Sequence, residues 1–244
     1  MASRLPPLVG HRGAAALAPE NTLPSFEAAA RAGAGWVELD AKLTRDGVVI
    51  VMHDDWLDRT TDGRGPVALA DWAAIRDLDA GGWFGPLWRG VRVPRLDETL
   101  HRLLELGLSP NIEIKPCPGR AAETARATLE VVRQLWPASR PLLLSSFEWD
   151  SMTEAARVAP ELPRGWLVTD DAADWEARAR TLGCVSVHCA DEFMTPGWAA
   201  AIRRAGFALG IYTVNDPARA RLLRGWGVDC IFTDRPDALG RAAC

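Results

Sequence analysis

The sequence predicts an α/β fold, a (β/α)8 TIM barrel with a small insertion after the second strand, and three observations carry that expectation. Eight short β-rich runs alternate with segments whose apolar residues recur every three or four positions. A chain of 244 residues is the usual size for eight such units. One interval of about forty residues breaks the rhythm soon after the second run, too long for a bare loop. A doubly wound open sheet uses much the same local pattern and remains the alternative at this level.

The elements follow in order. Leu8 to Gly10 is a strand that runs directly into His11-Arg12-Gly13, and a helix is expected over Thr22 to Ala32, with Asn21 as its cap and Gly33 beyond its end. Trp36 to Leu43 is the second strand. After the turn Thr44-Arg45-Asp46-Gly47 comes a further strand-like run, Val48 to Met52, ending in His53. The insertion is placed at about 54–94, with its own short helix near Leu69 to Leu78 and the aromatics Trp72, Trp83, Phe84 and Trp88, over the face where barrel chemistry occurs. Helices are then expected at Leu96 to Leu106 (followed by Gly107), Ala121 to Leu135, Asp150 to Val158, Trp175 to Leu182, Gly197 to Arg204 and Pro217 to Arg224, the last opened by Asp216. The strands between and after them are Asn111 to Lys115, Leu142 to Ser145, Gly165 to Thr169, Val185 to His188, Ala208 to Val214 and Cys230 to Thr233. Residues 1–244 read as one domain without repeats or low-complexity tracts.

Composition bounds the function. The chain is 48% hydrophobic and 25% charged, with 28 basic and 32 acidic residues for a net charge of −4, and no basic block. This argues against nucleic acid as a partner. No apolar stretch is long enough for a signal peptide or a membrane span, so the expected address is the cytoplasm. Cys117, Cys184, Cys189, Cys230 and Cys244 show no CxxC pair or zinc spacing and read as reduced, mostly buried residues. Lysine occurs only at Lys42 and Lys115, and in a chain that otherwise uses arginine a lysine in a polar cluster points to a need for a compact ammonium.

Chemistry concentrates at strand ends. In Trp36-Val37-Glu38-Leu39-Asp40 the period of two sends Glu38 and Asp40 to one face and Val37 and Leu39 to the other. Asn111-Ile112-Glu113-Ile114-Lys115 repeats the design, so neighbouring strands converge three carboxylates in the barrel. Crowded carboxylates need a raised pKa or a compensating cation. All-oxygen ligation by Glu38, Asp40 and Glu113 suits one hard divalent ion, Mg²⁺ or Ca²⁺, the alternative being an ion-pair network with arginines. His11 and His53, each ending a strand-like run, are candidates for acid and base. His101 falls on a helix and reads as a surface residue. His188 is expected near the mouth. Cys117, between Pro116 and Pro118 without an evident base, reads as structural.

The ordered series His11-Arg12-Gly13, Pro19-Glu20-Asn21-Thr22, Glu38-Leu39-Asp40, Leu43 to Gly47, His53-Asp54, Leu57 to Gly63, Glu113-Ile114-Lys115, Tyr212 to Asp216, Gly227-Val228-Asp229 and Thr233 to Pro236 spans nearly the whole chain. It resembles the glycerophosphodiester phosphodiesterase family, most closely its compact cytosolic bacterial members. The resemblance implies the same barrel with a small insertion, one divalent metal held by Glu38, Asp40 and Glu113, and catalysis by His11 and His53. It further implies phosphate contacts from Arg12 and Lys115, with Glu20 and Asn21 supporting the substrate site by hydrogen bonds. Tyr212 stands where many relatives carry Trp. The expected activity is hydrolysis of small-molecule glycerophosphodiesters, such as glycerophosphocholine or glycerophosphoethanolamine, to glycerol 3-phosphate and an alcohol, with a cyclic phosphate formed by the glycerol 2-hydroxyl. A lysophospholipase D-like enzyme, whose insertion aromatics touch an acyl chain, and a noncatalytic phosphate-ester-binding barrel are the competing readings. Neither a basic docking helix nor a lipidation motif is present, so no stable membrane association is expected. The oligomeric state is not legible in one chain.

Overall fold

The computed structural model describes residues 5–169 and 173–240. Its strands are β1 (Leu8–Gly10), β2 (Trp36–Leu43), β3 (Val49–Val51), β4 (Ser109–Ile114), β5 (Leu143–Ser146), β6 (Arg164–Val168), β7 (Ser186–Ala190), β8 (Ala208–Tyr212) and β9 (Cys230–Thr233). Eight of them run parallel in the order β1, β9, β8, β7, β6, β5, β4, β2, and the pairing of Gly10 with Val37 joins β1 to β2 and closes the barrel. Closure excludes the open doubly wound sheet. The remaining strand, β3, folds back antiparallel on β2 and carries the chain toward the insertion.

The helices are α1 (Leu23–Arg31), α2 (Trp72–Ile75), α3 (Leu96–Leu106), α4 (Ala121–Leu135), α5 (Trp149–Val158), α6 (Trp175–Thr181), α7 (Pro196–Arg204), α8 (Pro217–Gly225) and α9 (Pro236–Leu239). Their apolar stripes pack on the outward residues of the strands. Around β2 and β4, Val37, Leu39, Ile112 and Ile114 meet Phe26, Leu100, Leu103 and Leu129. On the far side Val187, Leu209 and Ile211 meet Ala199, Ile202 and Leu223. Each such side chain contributes about 1.5–3 kcal/mol by leaving water. Among the described residues, no helix is long and apolar enough to cross a membrane.

Local chemistry explains where the elements depart from expectation. Asp216 caps α8 as anticipated, accepting from the Ala218 and Arg219 amides at 3.0 and 3.2 Å. Asn21 does not cap α1. Thr22 holds that position, and the Asn21 oxygen that could accept a helix amide accepts from the Asp40 amide instead, while its Nδ2 donates to the Asp40 carboxylate. In the insertion the expected helix near Leu69 to Leu78 is split into a 3₁₀ turn, Val67–Leu69, and the single turn α2. Ala70 between them is extended, and the Arg45 amide takes its carbonyl at 2.9 Å, which keeps the two turns apart. Ile50, Met52, Leu57, Val67, Ile75 and Val93 give this segment a small core of its own. Strand β4 begins two residues earlier than Asn111, pairing Ser109 with Trp36 and Pro110 with Val37.

Candidate active site

The register of the barrel assembles the acidic cluster. Asp40 lies directly opposite Glu113 across the β2–β4 pair, and Glu38 is one inward position below Asp40. One oxygen from each of Glu38, Asp40 and Glu113 can be chosen so that all three lie within 4.8 Å of one another. All three side chains are buried.

The turn after β1 supplies the first cation. Arg12 has a left-handed backbone, φ 47°, and Gly13 follows at φ 89°, where a Cβ would lie 2.4 Å from Ser25 Oγ. That hydroxyl donates to the Arg12 carbonyl and accepts from the Ala14 amide, locking the turn against α1. The Arg12 amide donates to Glu38 at 2.8 Å, and its guanidinium donates to Glu20 at 2.6 Å and lies 3.6 Å from Asp40. Lys115, just past β4, donates to Glu113 at 2.6 Å and lies 3.7 Å from Asp40.

Two cations do not satisfy this cluster. Burial, then the charges of Asp40 and Glu113, lifts Glu38 well above the carboxylate range. Burial, then Asp40, lifts Glu113 to about 7. Burial opposes ionisation of Asp40 as well, but Arg12 and Lys115 outweigh it and hold that carboxyl at about 2. Asp40 Oδ1 is nevertheless buried with no hydrogen bond. Three convergent carboxylates, two of them short of positive charge and one with an oxygen that has no hydrogen bond, fit a hard divalent cation. Arginine pairing alone does not account for the cluster, since Arg12 is the one arginine paired with any of the three among the described residues.

Both candidate histidines carry an aspartate on the same ring nitrogen. His11 Nδ1 lies 2.7 Å from Asp234 Oδ1, and His53 Nδ1 lies 2.7 Å from Asp54 Oδ1. Asp234 stays ionised against its burial because of His11, and Asp54 is held low chiefly by Arg59. An ionised carboxylate only accepts, so each Nδ1 carries the proton and each Nε2 is left for a reacting group. Burial lowers the His53 pKa, against the pull of Asp40. Asn215 steadies the first dyad by donating to Asp234 Oδ2 at 2.8 Å. Arg59 steadies the second by donating to both Asp54 and Glu20.

Glu20 and Asn21 stand behind this front row. Glu20 joins Arg12 to Arg59, and Asn21 donates to Asp40 Oδ2 at 2.7 Å while accepting from the Asp40 amide at 3.2 Å. Neither lines the pocket that His11, Arg12, Glu38, His53, Glu113 and Lys115 enclose, a volume of about 150 Å³. His53, Glu113, Lys115 and Phe147 also border a second, more open groove of about 470 Å³.

His188 departs from its expected place at the mouth. Strand β7 continues to Ala190, so His188 is a mid-strand residue on the pocket floor, fully buried, with Nε2 3.0 Å from Ser186 Oγ. Gly165 and Gly210 make room for it, since a Cβ at either would come within 2.9 Å of the ring. Burial pushes its pKa down to about 3. His101 is exposed on α3. Cys117, Cys184, Cys189 and Cys230 are buried and free, and Cys244 lies outside the described residues.

Asp54, Asp234 and Arg59 belong to the site although the sequence assigns them no role. Asp54 has a signal, its adjacency to His53. Asp234 is 223 residues from His11 and meets it through barrel closure, so no local pattern marks it.

Comparison with known proteins places these features in a family context. A family model described as the glycerophosphoryl diester phosphodiesterase family matches residues 11–238. The chain is similar to a glycerophosphodiester phosphodiesterase of Bacillus subtilis, 36% identical over 251 residues, covering 94% of this chain and 83% of the relative. A solved Oleispira antarctica phosphodiesterase, in complex with the product sn-glycerol-3-phosphate, superposes with a TM-score of 0.95 at 37% identity, covering 98% of this chain and 96% of that one. A glycerophosphodiester phosphodiesterase from Agrobacterium tumefaciens superposes with a TM-score of 0.82 at 34% identity, covering 98% and 100%.

Proposed function

The chain belongs to the glycerophosphoryl diester phosphodiesterase family, and on that premise we propose that it hydrolyses glycerophosphodiesters to glycerol 3-phosphate and an alcohol with two histidines and one divalent ion. The observation that carries this reading is the meeting of a three-carboxylate cluster, Glu38, Asp40 and Glu113, with a pocket of about 150 Å³ that Glu38, Glu113, two aspartate-held histidines, Arg12 and Lys115 line. The Oleispira relative's product, glycerol 3-phosphate, is of a size suited to such a pocket.

Glu38, Asp40 and Glu113 would hold Mg²⁺ or Ca²⁺. When bound, the ion supplies Lewis acidity, lowering the pKa of a glycerol hydroxyl and drawing charge from the phosphoryl group. Arg12 offers a forked contact to phosphate oxygens and Lys115 a point charge. Together they offset the charge the phosphodiester brings.

The two histidines divide the proton work by position. His11 borders the inner pocket, whereas His53 also borders the open groove through which the alcohol portion extends. His11 Nε2 takes the proton of the glycerol 2-hydroxyl, whose oxygen attacks phosphorus. The bond to the leaving alcohol breaks, and His53 Nε2 delivers a proton to that oxygen. In the second step water opens the cyclic phosphate with the roles reversed: His53 accepts the water proton and His11 returns one to the 2-oxygen. Asp234 and Asp54 fix the orientation and tautomer of the rings, and each acid or base contribution is typically about 10²–10⁴ in rate.

The test is to incubate purified protein with glycerophosphocholine and glycerophosphoethanolamine, with and without chelator, and to assay glycerol 3-phosphate. Release that is lost on chelation and restored by Mg²⁺ or Ca²⁺ supports the reading. Release that persists after thorough chelation refutes the metal role, and a 2-deoxyglycerol analogue cleaved as fast as the parent refutes attack by the 2-hydroxyl.

A further inference from the structure

The open groove outside His53 has a composition of its own. Beyond the candidate catalytic groups its wall includes Asp54, Asp55, Trp56, Pro116, Phe147 and Glu148, with the Ser146 hydroxyl already engaged by the Ile114 carbonyl and the Glu148 amide. Two of its three carboxylates are already neutralised. Asp55 accepts from the fully buried Lys42 at 2.6 Å, and Asp54 accepts from Arg59. Lys115 at the inner edge is likewise balanced by Glu113 and Asp40. Glu148 is exposed, and its carboxylate has no ion pair or hydrogen bond among the described residues. It is therefore the uncompensated charge of the groove.

The apolar wall is aromatic. Trp56 is 58% exposed, and no cation lies over its ring among the described residues. Phe147 already has Lys115 Nζ 5.4 Å from its ring centroid, so Trp56 offers the free π-face. A neutral polyol would need hydrogen-bond partners along these walls, which Trp56, Pro116 and Phe147 do not supply in number. A quaternary ammonium needs none; it is bound by aromatic faces and an unpaired carboxylate.

We propose that this groove is a subsite for a quaternary ammonium headgroup on the leaving alcohol, with Trp56 as its aromatic platform and Glu148 as its counter-charge. The proposal rests on the phosphodiesterase reading and sharpens it to a substrate class. It also gives the insertion a function, since Trp56 is one of its first residues.

The experiment compares glycerophosphocholine with its neutral carbon isostere, the 3,3-dimethylbutyl ester of glycerol 3-phosphate, on the full chain with Mg²⁺ or Ca²⁺ supplied. The two esters have the same shape and differ in the charge of one atom. Wild type should favour the choline ester in kcat/KM by about fivefold or more, the size of effect that cation–π and carboxylate contacts give at a partly exposed site. In Glu148→Gln and in Trp56→Ala that ratio should fall toward one. Glu148 is a surface residue, so its variant keeps the test usable if Trp56→Ala does not fold. Equal use of the two esters by wild type, or a ratio unchanged in Glu148→Gln, overturns the subsite and leaves the hydrolase reading intact. Cleavage of neither ester overturns both.

Discussion

Asn21 is expected to control metal affinity without touching the metal, and Asn21→Gly isolates that effect. Its side chain makes two contacts with one ligand: Nδ2 donates to Asp40 Oδ2 at 2.7 Å and Oδ1 accepts from the Asp40 amide at 3.2 Å. The first leaves Asp40 Oδ1 as the oxygen without a hydrogen bond, inside the carboxylate cluster. Glycine suits the left-handed backbone at φ 57° and keeps the Asn21 amide bond to the Arg12 carbonyl, so the substitution removes the side-chain contacts alone. Loss of such an outer partner typically weakens metal affinity or activity by about 10–100-fold, or about 1.4–2.7 kcal/mol. Calorimetric titration of metal-free protein with Mg²⁺ or Ca²⁺ reads this directly. Asn21→Ala should lose the same affinity and, by forcing a Cβ into the left-handed region, lose about 1 kcal/mol more of folding stability in urea. Metal affinity in Asn21→Gly within twofold of wild type would refute the claim that Asn21 organises Asp40.

Three further outcomes follow from particular contacts. Asp234→Asn removes the obligate acceptor at His11 Nδ1 and should lower kcat by about a hundredfold or more with metal affinity unchanged by titration; a fall under tenfold would remove the dyad from the mechanism. Lys42 is fully buried while the Asp55 side chain is 44% exposed, so Asp55→Ala should cost about 3 kcal/mol or more by stranding an ammonium, whereas Lys42→Met, which leaves a carboxylate able to reach water, should cost about 1 kcal/mol; equal urea midpoints would contradict this asymmetry. His188 is buried neutral with its pKa pushed down to about 3, below the ordinary value near 6.5, so between those pH values the unfolded chain binds a proton that the folded chain refuses. Stability from this group is complete above about pH 6.5 and declines on acidification, by about 2 kcal/mol at pH 5. The decline between pH 7 and 5 should be smaller by that amount in His188→Gln, and an identical decline would show that His188 is charged in the fold.

How far the fold was legible depended on whether its determinants were local. The alternation in Trp36 to Leu43 is readable because Val37, Leu39, Ala41 and Leu43 bury against helices on one face while Glu38, Asp40 and Lys42 take the other. Closure itself is different. An open sheet and a barrel share every local pattern, and the pairing that separates them, Gly10 with Val37, links two segments by a backbone contact that no side-chain periodicity announces. Pro110 shows a second limit: proline weighs against a strand, yet β4 includes it through parallel pairing with Val37, a tertiary override of local preference. The split of the insertion helix is a third, fixed by the Arg45 amide reaching the Ala70 carbonyl from the β2–β3 turn.

The candidate site divides along the same line. The carboxylates were legible because β2 sets two acidic residues and β4 one at positions that alternate with apolar ones, and adjacency in the barrel does the rest. What sets the protonation of the histidines was not, because a tautomer is decided by whichever group meets Nδ1. For His53 that group is the next residue; for His11 it is Asp234, the residue just past β9. The two dyads thus converge on one chemistry by unlike routes. Arg59 then couples the His53 dyad to Arg12, since it holds Asp54 with the guanidinium that also grips Glu20, the partner of Arg12. A chain of ion pairs therefore runs from the insertion to the first turn, so the insertion is tied into the frame of the candidate site. Cutting that chain at Arg59 would loosen His53 and Arg12 together, while His11, held by Asp234 and Asn215 from the other side of the barrel, would keep its place.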